Sequence, residues 1–89
     1  MISITIGKTE HQCLLTIRAA KTYEDLTGKD VGSMQTVSEM GYFIFACVDA
    51  AARFNKEKCP ITVDDVFDNI TFEEMGVIVK KLMPDSQGE

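Results

Sequence analysis

Several features that commonly signal a function are missing from this chain of 89 residues. No stretch reaches the roughly 18 consecutive apolar residues of a membrane span. The nearest candidate, residues 40–52, is interrupted by Asp49. The start, Met-Ile-Ser-Ile, has neither a charged segment nor a long apolar run, so we expect no signal peptide. These absences predict a cytoplasmic protein that does not insert into membranes.

The cysteines do not form a pattern typical of a disulfide framework or a metal site. Cys13, Cys47 and Cys59 are odd in number and widely spaced, which suits thiols in a reducing compartment. His11 and Cys13 share one face of a predicted strand, but a zinc site needs three or four ligands. Neither of the other two cysteines has a ligand-like neighbour. We therefore expect no metal site and no cofactor.

Catalytic groups are equally scarce. The single histidine, His11, lies in a predicted hairpin, and no base stands beside a serine, cysteine or threonine nucleophile. Two pairs of acidic residues, at 64–65 and 73–74, fall in predicted first turns of helices. Carboxylates there cap backbone amides and interact favourably with the helix dipole. The sequence thus predicts no catalytic residues and a protein that is not an enzyme.

The net charge of −5 is concentrated in one part of the chain. It can be assigned to five acidic residues between positions 64 and 74, namely Asp64, Asp65, Asp68, Glu73 and Glu74. The other nine acidic residues balance the nine basic ones. Because no basic patch is present, nucleic acids and anionic membranes are not expected as partners.

The first fifteen residues predict a β-hairpin. Ile2, Ile4 and Ile6 alternate with polar residues, the period of a half-buried strand. Residues 7–10 are expected to turn the chain, and His11 to Leu15 to return antiparallel. A two-stranded hairpin is marginally stable alone, so a helix must cover its isoleucine face.

Local capping signals then divide the rest of the chain into helices. Thr16 is a candidate N-cap of a first helix that ends at Gly28, where a left-handed residue is needed. The pattern Thr36-x-x-Glu39 is a capping box for a long second helix, about Val37 to Phe54.

Two further threonines begin shorter helices. Thr62 is followed by Asp65 and Thr71 by Glu74 at the third helical position. The last helix is expected to run from about Phe72 to Leu82, and Pro84 to end it. Its apolar stripe comprises Phe72, Met75, Ile78, Val79, Leu82 and Met83.

These elements predict an α+β fold: an N-terminal β-hairpin followed by three to four helices, in a mainly helical single domain. The domain is expected to span residues 1–84, and residues 85–89 to form a flexible tail. At this size the chain buries only about 60–65% of its unfolded surface. We expect eleven side chains to be buried, namely Ile4, Ile6, Leu15, Tyr23, Leu26, Ile44, Val48, Val66, Phe67, Val79 and Leu82.

The long helix is apolar on more than one side. Its predicted core-facing stripe comprises Met40, Ile44, Cys47, Val48 and Ala51. Tyr42, Phe45 and Asp49 then fall on the opposite side, with Phe43 and Ala46 on the flanks, and no charged residue occurs between Met40 and Val48. Either a partner or second subunit covers the outer face, or the first and last helices enclose it within the monomer. Gly41 and several alanines permit close approach of another helix in both cases.

Two short segments carry a family resemblance. They are Ile6-Gly7-Lys8-Thr9 at the hairpin turn, and Tyr23 to Lys29, which reads Tyr-Glu-Asp-Leu-Thr-Gly-Lys. They resemble the start of the small tail assembly chaperones of long-tailed bacteriophages and prophages. In that family a hairpin turning at Gly-Lys leads to a helix ending in a Glu-Leu-Thr-Gly-Lys-like run. The resemblance covers roughly Ile4 to Leu82, although the later part matches only in kind.

The resemblance implies a function. Tail assembly chaperones bind the long tape measure protein in the bacterial cytoplasm before tail tube subunits polymerise around it. The resemblance therefore implies that the tape measure protein is a partner, that tail tube subunits are a second partner, and that no cofactor is needed. On the long helix, we expect Tyr42 and Phe45 to contact the partner, because aromatic side chains offer large contact areas at low entropic cost. Asp49 is expected to mark the edge of this surface, and the acidic residues 64–74 are the next candidate.

The alternative is a protein of another class. A small cytoplasmic regulatory or adaptor protein that homodimerises through its long helix would have the same pattern, as would the partner of a toxin or a repressor. A neighbouring gene for a very long helical protein would favour the chaperone. A neighbouring toxin or repressor gene would favour the adaptor.

Overall fold

The computed structural model describes residues 2–83, and they form the expected α+β domain. The elements are β1 (Ile2–Ile6), β2 (Thr9–Cys13), α1 (Ile17–Thr27), α2 (Val37–Phe54), α3 (Val63–Asn69) and α4 (Phe72–Leu82). A short 3₁₀ turn, Val31–Ser33, lies between α1 and α2. The predicted helix end at Pro84 and the predicted tail at 85–89 lie outside the described residues.

The hairpin is tighter than the sequence suggested. β1 and β2 pair antiparallel with Ile2 opposite Cys13 and Ile6 opposite Thr9, so only Gly7 and Lys8 form the turn. Gly7 has a φ of 66°, and a glycine at the first position is typical of a two-residue type II′ turn. The second strand therefore begins two residues earlier than predicted and ends at Cys13.

All four threonine N-caps are confirmed. The hydroxyl oxygens of Thr16, Thr36, Thr62 and Thr71 each accept a hydrogen bond from the backbone N–H three residues later. In the last three, the acidic residue at that position also accepts from the threonine N–H, which completes a capping box. The α1 C-cap is confirmed as well, because Gly28 has a φ of 77° and its N–H donates to the Glu24 carbonyl.

Helix α2 is the central element, and α1, α3, α4 and β2 all pack on it. Tyr23 of α1 and Phe43 of α2 meet edge-to-face in the core, with ring centroids 6.1 Å apart. Both are fully buried. The Tyr23 hydroxyl has no hydrogen-bond partner among the described residues, and burial raises the pKa of this side chain.

The predicted core is correct in its centre and wrong at its edges. Eight of the eleven expected residues are buried or half-buried, namely Ile4, Ile6, Tyr23, Ile44, Val48, Val66, Val79 and Leu82. Leu15, Leu26 and Phe67 are exposed instead. Leu15 lies beyond the end of β2, so strand alternation no longer determines its direction. For Leu26, periodicity gives the direction of the side chain but not the extent of the elements that cover it.

Candidate partner-binding surface

The outer side of α2 is half-covered by the chain itself. Between Glu39 and Ala52 every residue is buried or half-buried. The three predicted partner-binding residues, Tyr42, Phe45 and Asp49, are half-buried, as is Met40. They do lie on the least covered side of this segment, as the 3.6-residue period predicts. Whether they bind a partner stays a prediction.

The flanks of α2 differ from the expectation. Phe43 and Ala46, which were expected beside the outer face, are both fully buried. The physical reason is that α1 packs along this flank and Tyr23 contacts Phe43 there. Much of the apolar character of α2 is therefore accounted for by packing within the monomer.

Tyr42 is in contact with helix α3. Its ring meets the ring of Phe67 edge-to-face, with centroids 5.5 Å apart. Phe67 reaches this position because it lies directly against Gly41, where an added Cβ would overlap the ring and come within 2.8 Å of Cδ1. The small residue that was expected to admit another helix thus admits α3 of the same chain.

Asp49 is the polar edge of this side of α2. Its Oδ2 accepts a hydrogen bond from Arg53 Nε at 2.9 Å, one turn further along the helix. The Asp49 side chain retains only 13% of its accessible surface, whereas that of Arg53 retains 58%. The hydrogen bond therefore holds the Asp49 carboxylate along the helix. The apolar outer side of α2 ends at Phe45, one turn before this carboxylate.

An apolar cleft opens beside Phe67, between the start of α2, helix α3 and the start of α4. It encloses about 80 Å³. Among its lining residues are Val37, Gly41, Ile44, Phe67, Phe72 and Met75. No charged residue lines it within residues 2–83. We refer to this site as the apolar cleft.

Three residues at the mouth of the apolar cleft are exposed. Val37, Phe67 and Phe72 retain 50%, 41% and 71% of their accessible surface. Phe72 belongs to the predicted apolar stripe of α4, yet most of its ring is exposed. Val37 and Phe72 each follow an N-cap threonine directly, so they stand at the first turn of a helix, at the margin of its packing surface. That position after the cap was the signal in the sequence that could have identified them.

The acidic residues of α3 and α4 occur in the same helices as the cleft residues, but none of them lines the apolar cleft. The Asp65 and Glu74 carboxylates are engaged in capping boxes, where they accept the backbone N–H of Thr62 and Thr71. Asp64, Asp68 and Glu73 are exposed and take part in none of the ion pairs formed within residues 2–83. The sequence from Cys59 to Val79 contains no lysine, arginine or histidine. The stretch of chain that forms α3 and most of α4 therefore carries charge of one sign.

A second apolar patch lies at the other end of α2, which is about 25 Å away at the helical rise per residue. We call it the α1–α2 patch: Ile17, Ala50 and Phe54, flanked by Arg18 and Arg53. Ile17 and Phe54 retain 90% and 67% of their accessible surface. This patch carries basic neighbours, in contrast to the apolar cleft.

The reactive side chains do not assemble into a centre in the described part of the chain. Cys13 and Cys47 are fully buried, and burial raises the pKa of the Cys13 thiol to about 12 and that of Cys47 as well. Burial also raises the pKa of the half-buried Cys59. Within residues 2–83, no three His, Cys, Asp or Glu side chains are grouped so that they could hold a metal ion.

Comparisons with known proteins return no relative: no protein family, curated protein or solved structure matches this chain. None of the helices within residues 2–83 combines the length and the apolar character that a membrane crossing requires.

Proposed function

We propose that this protein is a tail assembly chaperone of a long-tailed phage or prophage that binds the tape measure protein during assembly of the tail tube. The role is non-enzymatic, needs no cofactor and belongs in the cytoplasm of the bacterial host. The partner is suggested by the sequence resemblance of residues 6–9 and 23–29 to that family. Tail tube subunits would then displace the chaperone as they polymerise.

One structural observation supports the mechanism. Tyr42 contacts Phe67, and Phe67 lines the apolar cleft whose mouth exposes Val37 and Phe72. Of the predicted contact residues of α2, Tyr42 is therefore continuous with an exposed apolar surface. Tape measure segments are expected to be largely helical and to expose apolar stripes until the tube encloses them. A groove beside a helix is a common receptor for such a stripe.

The two halves of the surface would have different roles. Exposed side chains at the apolar cleft are accessible without any change of fold. Tyr42 and Phe45, which are half-buried, would supply contact area from the floor of the surface. Asp49, held by Arg53, would bound it.

The experiment is a pull-down with the tape measure protein. The neighbouring genes are first searched for one that encodes a very long helical protein; the chain is then co-expressed with that protein, and the complex is captured through a tag on it. The double variant Tyr42→Ser, Phe45→Ser is expected to weaken capture while it retains its helical circular dichroism. The matched control is Ile17→Ser, Phe54→Ser, which removes two exposed apolar residues at the α1–α2 patch and should be captured as the wild type is.

Each other result has a definite meaning. If the Tyr42, Phe45 variant unfolds, these aromatics belong to the core, and Phe72→Ser becomes the decisive variant because its ring is largely exposed. If folded variants at both places are captured normally, the proposed surface is wrong. If the wild type is a dimer in sedimentation and captures no long helical protein, the adaptor alternative replaces the proposal.

A further inference from the structure

The outer edge of β1 carries unpaired backbone groups. Within residues 2–83 the sheet has two strands, so β1 pairs with β2 on one side and with no strand on the other. The pair Ile6–Thr9 flanks a two-residue turn and is hydrogen-bonded, and such pairs alternate with non-bonded ones along an antiparallel ladder. The N–H and C=O groups of Ser3 and Thr5 therefore point away from β2. No backbone hydrogen bond joins them to another element in this part of the chain.

This edge lacks most of the features that usually protect an exposed strand. Natural proteins protect such edges with charged side chains, proline, a β-bulge or a covering element. Residues Ile2–Ile6 contain neither a charge nor a proline, and their pairing with Thr9–Cys13 is continuous, without a bulge. Ser3 and Thr5 are both exposed. The edge of β1 is therefore accessible to a further strand.

A groove separates the edge of β1 from helix α4. It encloses about 460 Å³, which is within the range of ligand pockets. Ile4 and Ile78 are buried residues of its lining, and Val77, which is 53% exposed, adds an accessible apolar contact. Along α4 the lining extends from Glu73 to Lys81, about 12 Å at the helical rise, which is the length of about four residues of extended chain. We call this site the β1 groove.

The two ends of the α4 wall of the β1 groove carry opposite charge. Glu73 and Glu74 lie at one end and Lys81 at the other. The Glu74 carboxylate accepts the backbone N–H of Thr71, whereas Glu73 and Lys81 take part in none of the ion pairs formed within residues 2–83. Both of these side chains are exposed. A strand with a basic residue at one end and an acidic residue at the other would meet complementary charge at both ends.

We propose that the β1 groove binds an extended segment of a partner protein as a third strand of the sheet. Backbone groups of the segment pair with those of Ser3 and Thr5, and every second side chain packs toward Val77. The segment is apolar at these alternate positions, with a lysine or arginine near Glu73 and an aspartate or glutamate near Lys81. This inference is independent of the proposed function, because no residue lines both the β1 groove and the apolar cleft.

A second copy of this chain is the competing occupant, because its own β1 could pair with the same edge. Residues 2–6 contain no charged side chain, so a second β1 would leave Glu73 and Lys81 without counter-charges. A foreign segment with one charge of each sign matches both ends. We therefore assign the β1 groove to a partner protein, and self-association through this edge is an outcome that would overturn the assignment.

The experiment uses the full chain and two synthetic peptides of about eight residues, a common length for a strand. Both alternate valine and threonine; the mixed peptide ends in lysine and glutamate, and the basic peptide has lysine at both ends. Binding is followed by NMR through the backbone amides of Ser3 and Thr5. We expect saturable shifts and slower hydrogen exchange at these amides, because their N–H groups become hydrogen-bonded. At low salt the mixed peptide should bind about threefold more tightly than the basic one, and the difference should fade as the salt approaches about 1 M.

Two variants of the chain locate the binding to the β1 groove. Lys81→Glu makes both ends of the α4 wall acidic, so this variant should bind the basic peptide about threefold more tightly than the mixed one. Val77→Ser should weaken the mixed peptide about threefold or more, because the groove loses accessible apolar contact area. The matched control is Ile17→Ser, which removes an exposed apolar residue at the α1–α2 patch and should bind as the wild type does. Circular dichroism checks that each variant is folded.

Two further peptides test the backbone pairing with the wild-type chain. Both are mixed peptides with N-methyl groups, on the valines in one and on the threonines in the other. Because successive residues of a strand direct their N–H groups to opposite edges, each peptide has a different edge blocked. A third strand that pairs through one edge predicts that one of these peptides loses binding and the other retains it. Equal binding of the two, whether strong or weak, overturns the proposed arrangement.

The remaining outcomes also decide the inference. An absence of saturable binding overturns it, and so does binding that leaves the amides of Ser3 and Thr5 unchanged. Shifts of these amides that grow with protein concentration in the absence of peptide would show that a second copy is the occupant. Slow exchange of the same amides in the dilute free chain would show that another part of the chain already covers the edge. Either of these two results overturns the assignment to a partner.

Discussion

The ammonium group of Lys29 lies 2.7 Å from Oε2 of Glu39, and this ion pair joins the end of α1 to the start of α2. The other carboxylate oxygen, Oε1, accepts the backbone N–H groups of Gln35 and Thr36. Glu39 is buried, so three donors satisfy a carboxylate that has little access to water. The Leu-Thr-Gly-Lys run therefore has a structural role. Gly28 ends α1, and Lys29 forms an ion pair with Glu39 at the start of α2.

Glu39 makes the stability of the fold sensitive to acid. The hydrogen bond from Lys29, followed by those from the two backbone amides, lowers the pKa of Glu39 from 4.5 to about 2. Because this pKa is lower in the folded state, the carboxylate stabilises the fold fully above pH 4.5 and loses this contribution as the pH falls toward 2. Urea unfolding midpoints measured across this window should fall with pH in the wild type and fall less in Glu39→Gln. Parallel pH profiles for the two proteins would contradict this assignment.

Gly28 should tolerate asparagine better than valine. Its φ of 77° lies in the left-handed region, and an added Cβ would meet no atom within 4 Å. The cost of substitution is therefore backbone strain, which is greater for a β-branched side chain than for asparagine. In chemical denaturation, Gly28→Val should lose about 1 kcal/mol more than Gly28→Asn. Equal losses would show that the left-handed conformation is not what this position requires.

Thr71 should contribute measurably to the start of α4. Its hydroxyl oxygen accepts the Glu74 N–H at 3.1 Å. Removing this N-cap by Thr71→Ala is expected to cost about 1 kcal/mol of unfolding free energy. Thr71→Ser keeps the hydroxyl and serves as the matched control, with a small change. If the alanine variant lost no more than the serine variant, the capping bond would not contribute to stability.

Gly41→Ala should destabilise the protein although alanine favours a helix. The helix gains at most about 1 kcal/mol from the substitution. The new methyl group would overlap the Phe67 ring, and overpacking of this kind costs about 1–3 kcal/mol. We expect a net loss of about 1 kcal/mol and weaker packing of Tyr42 on Phe67, visible in the near-ultraviolet circular dichroism. A stabilised variant would mean that the ring swings out of contact at little cost.

The helix boundaries could be predicted from sequence because their causes are local. Each N-cap threonine bonds to an amide three residues away, and Gly28 ends α1 through its own φ angle. The register of the hairpin was predicted less well, since the choice between a two-residue and a four-residue turn depends on how both strands pack against the helices.

The coverage of side chains could not be predicted from the same signals. The period of α2 correctly placed Tyr42 and Asp49 on its outer side, but nothing local indicated that Phe67 would lie over Gly41. These residues are 26 positions apart, and their contact depends on how α3 docks. For the same reason, the apolar cleft beside Phe72 became evident only in the folded chain.

The solubility of the tape measure protein tests the chaperone proposal most directly. A candidate tape measure protein, identified as a very long helical protein from a neighbouring gene, is expressed alone, with this chain, and with the Phe72→Ser variant, and its soluble fraction is measured after centrifugation. We expect the candidate tape measure protein to be soluble with the wild-type chain, largely insoluble alone, and intermediate with the variant. Equal solubility of the tape measure protein with and without the chain would contradict the proposed function.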